Sequence, residues 1–298
     1  MSAPEPEPEP EPGPEPVGCW SERFELGEGI RRFDDSIVLV DILSGRLLSA
    51  PDRKSPLRVR AQLPVPLGAV APVAGSPGSW IAAAGTGICR IGPDGNAQWL
   101  ARPEDEAPVP MRMNDATADP YGRFWAGSMA YDTTKAAGSL YRVDRDGTVS
   151  RALTGITIPN GPAFTADCSL MYLADSARGV IRSYSVDPGT GALGAPTDFA
   201  ALDEGSPDGM TVDVNGGLWT AVWGAGAVHR YLPDGTLDRV VRVPAPQPAG
   251  VCLDGHTLWI TSARIGLAEP GPLDGAVFTA RVDVPGPPAA VYRPEKPA

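Results

Sequence analysis

Four oxygen-bearing side chains occupy similar points of a repeated pattern in this 298-residue sequence. Glu28, Asn114, Asn160 and Asp208 each lie five to seven residues before a turn that leads into an apolar strand. Two carboxylates and two amides, with no His or Cys beside them, form the all-oxygen set that a hard divalent cation prefers. Asn-Gly and Asp-Gly are also ordinary turn dipeptides, so any one of them alone would indicate a turn. The shared phase of all four predicts a cation site.

The turn that follows these residues belongs to an internal repeat. Six copies of a turn followed by a hydrophobic strand, often with Trp, can be aligned at a spacing of about 40 to 47 residues, which is the length of a four-stranded propeller blade. The six turns are Phe33–Ser36, Ser76–Ser79, Asp119–Gly122, Ala166–Ser169, Asp213–Gly217 and Leu253–His256.

A second signal follows the turns and completes each repeat. Strands that begin with Gly are commonly closed by Asp-Gly, as where Gly87–Ile91 precedes Pro93–Gly95, and this dipeptide between apolar runs marks a hairpin. The sequence therefore predicts an all-β fold, a six-bladed β-propeller of four-stranded antiparallel blades that occupies residues 19–298 as one domain. A strand within residues 19–32 is expected to complete the last blade and close the ring. The first strand of each blade lines the central channel, so the four side chains should converge on its axis.

Composition limits the partners and the compartment. Residues 1–18 are rich in alternating Pro and Glu and are expected to form a disordered, polyproline-like tail. They contain neither the basic nor the apolar region of a secretory signal, which favours a cytoplasmic protein. The formal net charge of −11 argues against nucleic acid and anionic membranes as partners, and no protein partner is evident. The four cysteines lie far apart and indicate buried thiols.

Several motifs of the sequence resemble the SMP-30/gluconolactonase/regucalcin-like (LRE) family. The resemblance runs from about Leu26 to Arg264, and the Arg-x-Asn-Asp and Phe-Trp-Ala-Gly blocks are its most specific part. The segments that carry it are Gly27–Gly29, Arg112–Asp115, Asp119–Met129, Ile158–Gly161, Pro207–Asp213, Leu218–Trp219, Trp223–Gly224 and Thr261–Arg264.

That resemblance implies a six-bladed propeller with one divalent metal in the channel and hydrolysis of a sugar lactone as the activity. Glu28, Asn160 and Asp208 correspond to the family's metal ligands, and Arg112 and Asn114 to its substrate-binding pair. Ca²⁺ is the favoured cation, with Zn²⁺, Mn²⁺ and Mg²⁺ left open. We hypothesise that Asp208 is also catalytic, with one oxygen on the metal and the other accepting a proton from the attacking water.

A second interpretation belongs to a different functional class. The chain could be a non-catalytic propeller that binds calcium or serves as a scaffold, with a regulatory role. Arg112 and Asn114 favour the enzyme, because a purely structural cation would not need a forked hydrogen-bond donor beside it.

Overall fold

The protein is described by a computed structural model that covers residues 10–295. Two short N-terminal strands precede the blades, β1 (Glu11–Pro12) and β2 (Val17–Cys19). The first three blades are β3 (Gly27–Phe33), β4 (Ser36–Asp41), β5 (Arg46–Ala50) and β6 (Arg58–Gln62); β7 (Leu67–Pro72), β8 (Trp80–Ala84), β9 (Gly87–Ile91) and β10 (Ala97–Ala101); and β11 (Met111–Ala118), β12 (Phe124–Ala130), β13 (Gly138–Val143) and β14 (Val149–Ile156). The remaining strands are β15 (Pro159–Phe164), β16 (Leu170–Asp175), β17 (Val180–Val186) and β18 (Leu193–Ala201); β19 (Ser206–Val212), β20 (Leu218–Trp223), β21 (Ala227–Tyr231) and β22 (Leu237–Arg242); and β23 (Pro248–Asp254), β24 (Thr257–Ser262) and β25 (Val277–Arg281), with one 3₁₀ turn at Ser176–Arg178.

These strands form six antiparallel blades arranged in a closed ring. Each first strand packs against the first strands of both neighbouring blades, and β23 of the last blade packs against β3 of the first. Central strands such as β12 are buried along their whole length, because each blade is covered on both faces by its neighbours. The predicted six-bladed propeller is confirmed, and all six predicted turns join a first strand to a second.

The ring closes through a strand that begins within the predicted tail. The last blade lacks a fourth strand of its own, and β2 supplies it by pairing antiparallel with β25. The predicted closure is therefore confirmed, but the closing strand is Val17–Cys19. The chain then leaves the blade at Trp20, which has a positive φ of 40° and stacks on Trp259.

The predicted tail is also ordered further upstream than expected. Glu11 and Pro12 pair in parallel with Arg239 and Val240 at the outer edge of the fifth blade. Glu11 also accepts a hydrogen bond from Arg239 at 3.0 Å. An edge strand offers unpaired backbone groups whatever side chains face it, so the Pro/Glu composition did not reveal this pairing. The prediction of disorder is wrong for residues 10–18, and its first nine residues lie outside the described part of the chain.

The innermost strand of every blade is irregular at the same level. Its pairing with the second strand shifts register between Glu28 and Arg31, Leu67 and Ala69, Met113 and Ala116, Asn160 and Ala163, Pro207 and Met210, and Pro248 and Gly250. A β-bulge redirects the side chains next to it. The four side chains singled out from the sequence lie in these bulges or immediately before them.

The C-terminal segment crosses the face of the ring opposite the bulges. The backbone N–H of Gly286 donates to Gly255 in the last blade, and those of Tyr292 and Arg293 donate to Pro72 and Gly122 in the second and third blades. The segment therefore joins distant blades at the far end of the channel. Among residues 10–295, no helix has the length and apolar character needed to cross a bilayer.

Candidate active site

Side chains from four inner strands meet in the channel at the level of the bulges. Glu28 lies in β3, Asn114 in β11, Asn160 in β15 and Asp208 in β19, and each exposes at most 5% of its surface. The second blade has Gly68 at this level, where a Cβ atom would lie 2.0 Å from the carbonyl oxygen of Asn114. This glycine lets the second and third blades approach closely.

Arg112 and the two asparagines form a continuous chain of hydrogen bonds. The Arg112 guanidinium donates to Asn114 Oδ1 at 2.7 Å and to the carbonyl oxygen of Met113 at 3.0 Å. Asn114 Nδ2 donates to Asn160 Oδ1 at 2.8 Å and to the carbonyl oxygen of Pro159 at 3.0 Å. The predicted substrate-binding pair is thus in direct contact with one predicted metal ligand.

A serine continues this chain into the fifth blade. Asn160 Nδ2 donates to Ser176 Oγ at 2.9 Å, and Ser176 Oγ donates to the carbonyl oxygen of Pro207 at 2.5 Å. Pro207 directly precedes Asp208, so four polar side chains, those of Arg112, Asn114, Asn160 and Ser176, form with the carbonyl group of Pro207 one hydrogen-bonded belt that spans three blades.

The two carboxylates of the site are buried with few hydrogen-bond donors. Asp208 Oδ1 accepts from the N–H of Gly209 at 2.9 Å, whereas no hydrogen bond from the described residues lowers the pKa of Glu28. Burial raises the pKa of Glu28 well above its usual range, and the charge of Asp208 raises it further. Burial also raises the pKa of Asp208, with a further rise from Asp115. The two groups are therefore close enough to repel each other.

Two arginines supply the positive charge of the channel. Burial lowers the pKa of Arg112, while the negative charge of Glu28 acts in the opposite direction. Arg31 of β3 reaches across to Asp115 of the third blade, with its Nη2 atom 3.8 Å from Oδ1. Both guanidiniums lower the pKa of Glu28 by charge, but burial and neighbouring carboxylates outweigh them.

Three buried residues of this region were not identified from the sequence. Asp115 accepts hydrogen bonds from the N–H groups of Ala116 and Gly161, at 2.8 and 3.2 Å. It therefore ties the third blade to the residue that follows Asn160. Asp115 was visible only as a neighbour of Asn114, while Arg31 and Ser176 carried no signal because their contacts cross between blades.

The donor set fits a divalent cation. Two under-partnered buried carboxylates, Glu28 and Asp208, and the buried amide of Asn160 lie at the level of the bulges, and oxygen atoms of this kind suit Ca²⁺ and related ions. Within residues 10–295 no three His, Cys, Asp or Glu side chains come together to hold a metal. A site here would rely on amide oxygens as well as carboxylates.

Comparisons with known proteins relate this chain to a family that includes lactonases. The sequence model of the family described as SMP-30/Gluconolactonase/LRE-like region matches residues 26–264. The chain is 38% identical over 286 residues to Pentonolactonase XacC of Haloferax volcanii, covering 91% of this chain and 93% of that protein. It is 33% identical over 258 residues to 6-deoxy-6-sulfogluconolactonase of Pseudomonas putida, covering 83% and 87%. The crystal structure of regucalcin from Agrobacterium tumefaciens, described as a calcium-binding protein, matches with a TM-score of 0.87 at 28% identity and covers 95% of this chain and 99% of that one.

Proposed function

Since this chain belongs to the SMP-30/gluconolactonase/LRE-like family, we propose that it is a divalent-metal-dependent enzyme that hydrolyses a sugar lactone. Two relatives that align over most of its length are named as lactonases of a five-carbon and a substituted six-carbon sugar acid. We therefore propose an aldonolactone of five or six carbons as the substrate. The observation that carries the proposal is the presence of two under-partnered carboxylates beside a forked donor, Arg112, in one buried channel.

Glu28, Asn160 and Asp208 are the proposed ligands of the cation. Their oxygens come from three blades, and the mutual repulsion of the two carboxylates is relieved by a positive charge between them. When bound, a divalent cation supplies Lewis-acid polarisation of a carbonyl group and acidification of water. Ca²⁺ is the cation we favour, because the donors are oxygens only.

Asp208 is the proposed general base. In lactone hydrolysis a water oxygen forms a bond to the carbonyl carbon, the ring C–O bond breaks, and the ring oxygen leaves as a hydroxyl. Asp208 Oδ1 is engaged by the N–H of Gly209, and the carboxylate accepts no other hydrogen bond that lowers its pKa. The second oxygen can therefore take the proton of the attacking water and return it to the leaving oxygen.

Arg112 and Asn114 are proposed to bind and orient the substrate. Arg112 uses its Nη1 for the bonds to Met113 and Asn114, and its remaining donors suit the hydroxyls of a sugar ring or a developing carboxylate. Because this guanidinium is buried, water competes only weakly with a ligand for its hydrogen bonds. The same burial restricts the orientation in which a ring can enter.

The test is acid release from a panel of aldonolactones with five- and six-membered rings. Spontaneous hydrolysis at the same pH is subtracted, and each lactone is assayed with chelator, then with Ca²⁺, Zn²⁺, Mn²⁺ or Mg²⁺ restored. Cation-dependent turnover of at least one lactone supports the proposal. Cation binding without turnover of any lactone would instead support a non-catalytic calcium-binding propeller, an alternative kept by the likeness to regucalcin.

A further inference from the structure

Ser176 has an unusual position between two of the proposed metal ligands. It begins the 3₁₀ turn that follows β16. Ser176 is the one buried residue of this turn. Its Oγ atom lies 2.9 Å from Asn160 Nδ2 in the fourth blade and 2.5 Å from the carbonyl oxygen of Pro207 in the fifth. It therefore links Asn160 to the residue immediately before Asp208.

The chemistry of the acceptor gives this link a direction. A backbone carbonyl can only accept a hydrogen bond, so the hydroxyl proton of Ser176 must point to Pro207. Ser176 Oγ can then only accept from Asn160, which must present its NH₂ group to the serine. The amide oxygen of Asn160 consequently faces the channel, as a cation ligand requires.

The amide of Asn160 is held in one orientation from both of its ends. An amide has an oxygen and a nitrogen of nearly equal size, and its orientation is decided by the hydrogen bonds around it. On the channel side, Asn160 Oδ1 meets Asn114 Nδ2, whose own orientation is set by the carbonyl oxygen of Pro159. Carbonyl acceptors at both ends of the belt thus impose one orientation on both amides.

We propose that Ser176 is a positioning residue that, together with Asn114, fixes the orientation of the Asn160 amide and that holds Asn160 in place relative to Asp208. The inference rests on the proposed function, because it concerns the cation site of that function. Ser176 does not itself touch the substrate or the cation in this account. It acts by accepting a hydrogen bond from the NH₂ group of Asn160 and tying it to Pro207, so that the amide oxygen stays on the side of Asn114.

The backbone around Ser176 is held without its hydroxyl. The backbone N–H of Ser176 donates to the carbonyl oxygen of Ile158 at 3.0 Å. The carboxylate of Asp175 accepts from the N–H groups of Thr157 and Ile158, at 3.3 and 3.2 Å. Removal of the hydroxyl alone should therefore leave the turn folded, which separates its positioning role from a structural one.

The test compares cation affinities measured by calorimetry on Ser176→Ala and on the control Ser262→Ala. Ser262 is also buried, and its hydroxyl donates to the carbonyl oxygen of Ala276 at 2.7 Å and to none of the proposed ligands. We expect Ser176→Ala to bind Ca²⁺ about 10-fold more weakly than the wild type, as is typical when a partner that orients a ligand is lost. Ser262→Ala should bind within about twofold of the wild type, because its hydroxyl orients no ligand.

A double variant tests whether the effect passes through Asn160. In an Asn160→Ala background, Ser176→Ala should cause no further loss of affinity beyond about twofold, because the group that it orients is absent. Should Ser176→Ala fail to fold, Ser176→Cys keeps the approximate volume with a much weaker acceptor and addresses the same question.

The outcomes separate this inference from the proposed function. A wild-type protein that binds none of the four cations overturns the proposed function and the inference with it. Wild-type binding with unchanged affinity in Ser176→Ala overturns the inference alone, as does an equal loss in the presence and absence of the Asn160 side chain.

Discussion

Two pairs of buried carboxylates lie at opposite ends of the inner strands, and their surroundings differ completely. At the lower turn of the third blade, Asp119 accepts hydrogen bonds from the backbone N–H groups of Tyr121 and Arg123. It also accepts from Arg123 Nε at 2.6 Å and from Trp125 Nε1 at 2.9 Å. Each of the two carboxylate oxygens of Asp119 therefore accepts two hydrogen bonds.

The fifth blade repeats this arrangement. Asp213 accepts from the backbone N–H groups of Asn215 and Gly217 and from Trp219 Nε1 at 2.9 Å. Its guanidinium partner is Arg230, whose Nε donates at 2.8 Å. The Asp of the repeated turn therefore stabilises the hairpin and holds the blade's Trp in the core.

The carboxylates near the opposite ends of the inner strands of the first and fifth blades show the reverse. Glu28 and Asp208 are also buried, but among the described residues only one hydrogen bond to their carboxylates acts on their pKa values. It is donated by the N–H of Gly209 to Asp208. Their pKa values are raised by burial and by neighbouring negative charge. A carboxylate that is kept buried and under-partnered is available to a ligand, whereas a saturated one contributes stability. Burial alone does not distinguish the two roles, but the count of donors does.

The largest effect that tests this contrast is expected from Asp208→Asn. We predict a fall in kcat/KM of about 10³-fold or more, because the proposed base and one cation ligand are lost together. In the presence of chelator, the melting temperature should stay the same or rise, because an uncompensated buried charge is removed. Steady-state assays and thermal scans measure the two quantities. A variant with more than a tenth of wild-type activity would contradict the assignment.

The matched change at the opposite end of an inner strand is Asp119→Asn, in the third blade. Here we expect a loss of about 3 kcal/mol in the free energy of unfolding, since the buried guanidinium of Arg123 loses its charged partner. Lactonase activity should remain within about threefold of the wild type below both melting temperatures, since the hydrogen bonds of Asp119 go to Tyr121, Arg123 and Trp125 and not to the proposed site residues. Denaturant titration gives the stability. If Asp119→Asn instead loses activity while keeping its stability, the division between the two carboxylate pairs is wrong.

A smaller effect is expected when a cation stabilises the folded protein, and it should distinguish the two pairs of carboxylates. At a cation concentration 100 times the dissociation constant, a site bound only in the folded state adds about 2.7 kcal/mol. We predict this gain in the wild type and in Asp119→Asn, but not in Glu28→Gln, where a proposed ligand has lost its charge. Thermal scans with chelator and with added cation measure the gain. Equal stabilisation of Glu28→Gln and the wild type would remove Glu28 from the site.

The smallest predicted effect concerns His229, a half-buried base on the third strand of the fifth blade. Burial, and to a lesser degree the charge of Arg242, lowers its pKa from 6.5 to about 4. A group with a depressed folded-state pKa stabilises the fold above its unfolded pKa, and this contribution is lost as the pH falls from about 6.5 towards 4. Between pH 7 and about pH 5.5 the loss should be about 1 kcal/mol. His229→Gln should lack this component, and denaturant titrations at the two pH values measure it. An identical pH dependence in both proteins would exclude His229 as its source.

Much of this architecture could be predicted from the sequence because propeller blades are local units. Turn residues such as Asp119 and Asp213 repeat at a regular distance, and that distance fixes the phase of Glu28, Asn114, Asn160 and Asp208 along the inner strands. Strand and turn signals therefore gave the fold and the level at which these side chains lie.

The remainder depends on contacts between blades, which leave no periodic trace. The orientation of the site residues comes from bulges, and a bulge is defined by pairing with another strand rather than by its own sequence. Ser176 donates to Pro207 and Arg31 approaches Asp115, each in a different blade, so neither could be placed from its neighbours in the chain. Glu11 and Val17 pair with distant strands through backbone groups, and side-chain composition does not indicate such pairing.

The most direct test of the account is a titration of metal-stripped protein with a divalent cation, in which lactone hydrolysis and cation binding are measured on the same sample. We predict no turnover above the spontaneous rate without cation, a rise in activity that follows the binding curve, and no activity from Asp208→Asn at any cation concentration. Full activity in wild-type protein shown by elemental analysis to contain no metal would contradict the central claim that Glu28, Asn160 and Asp208 act together through one cation.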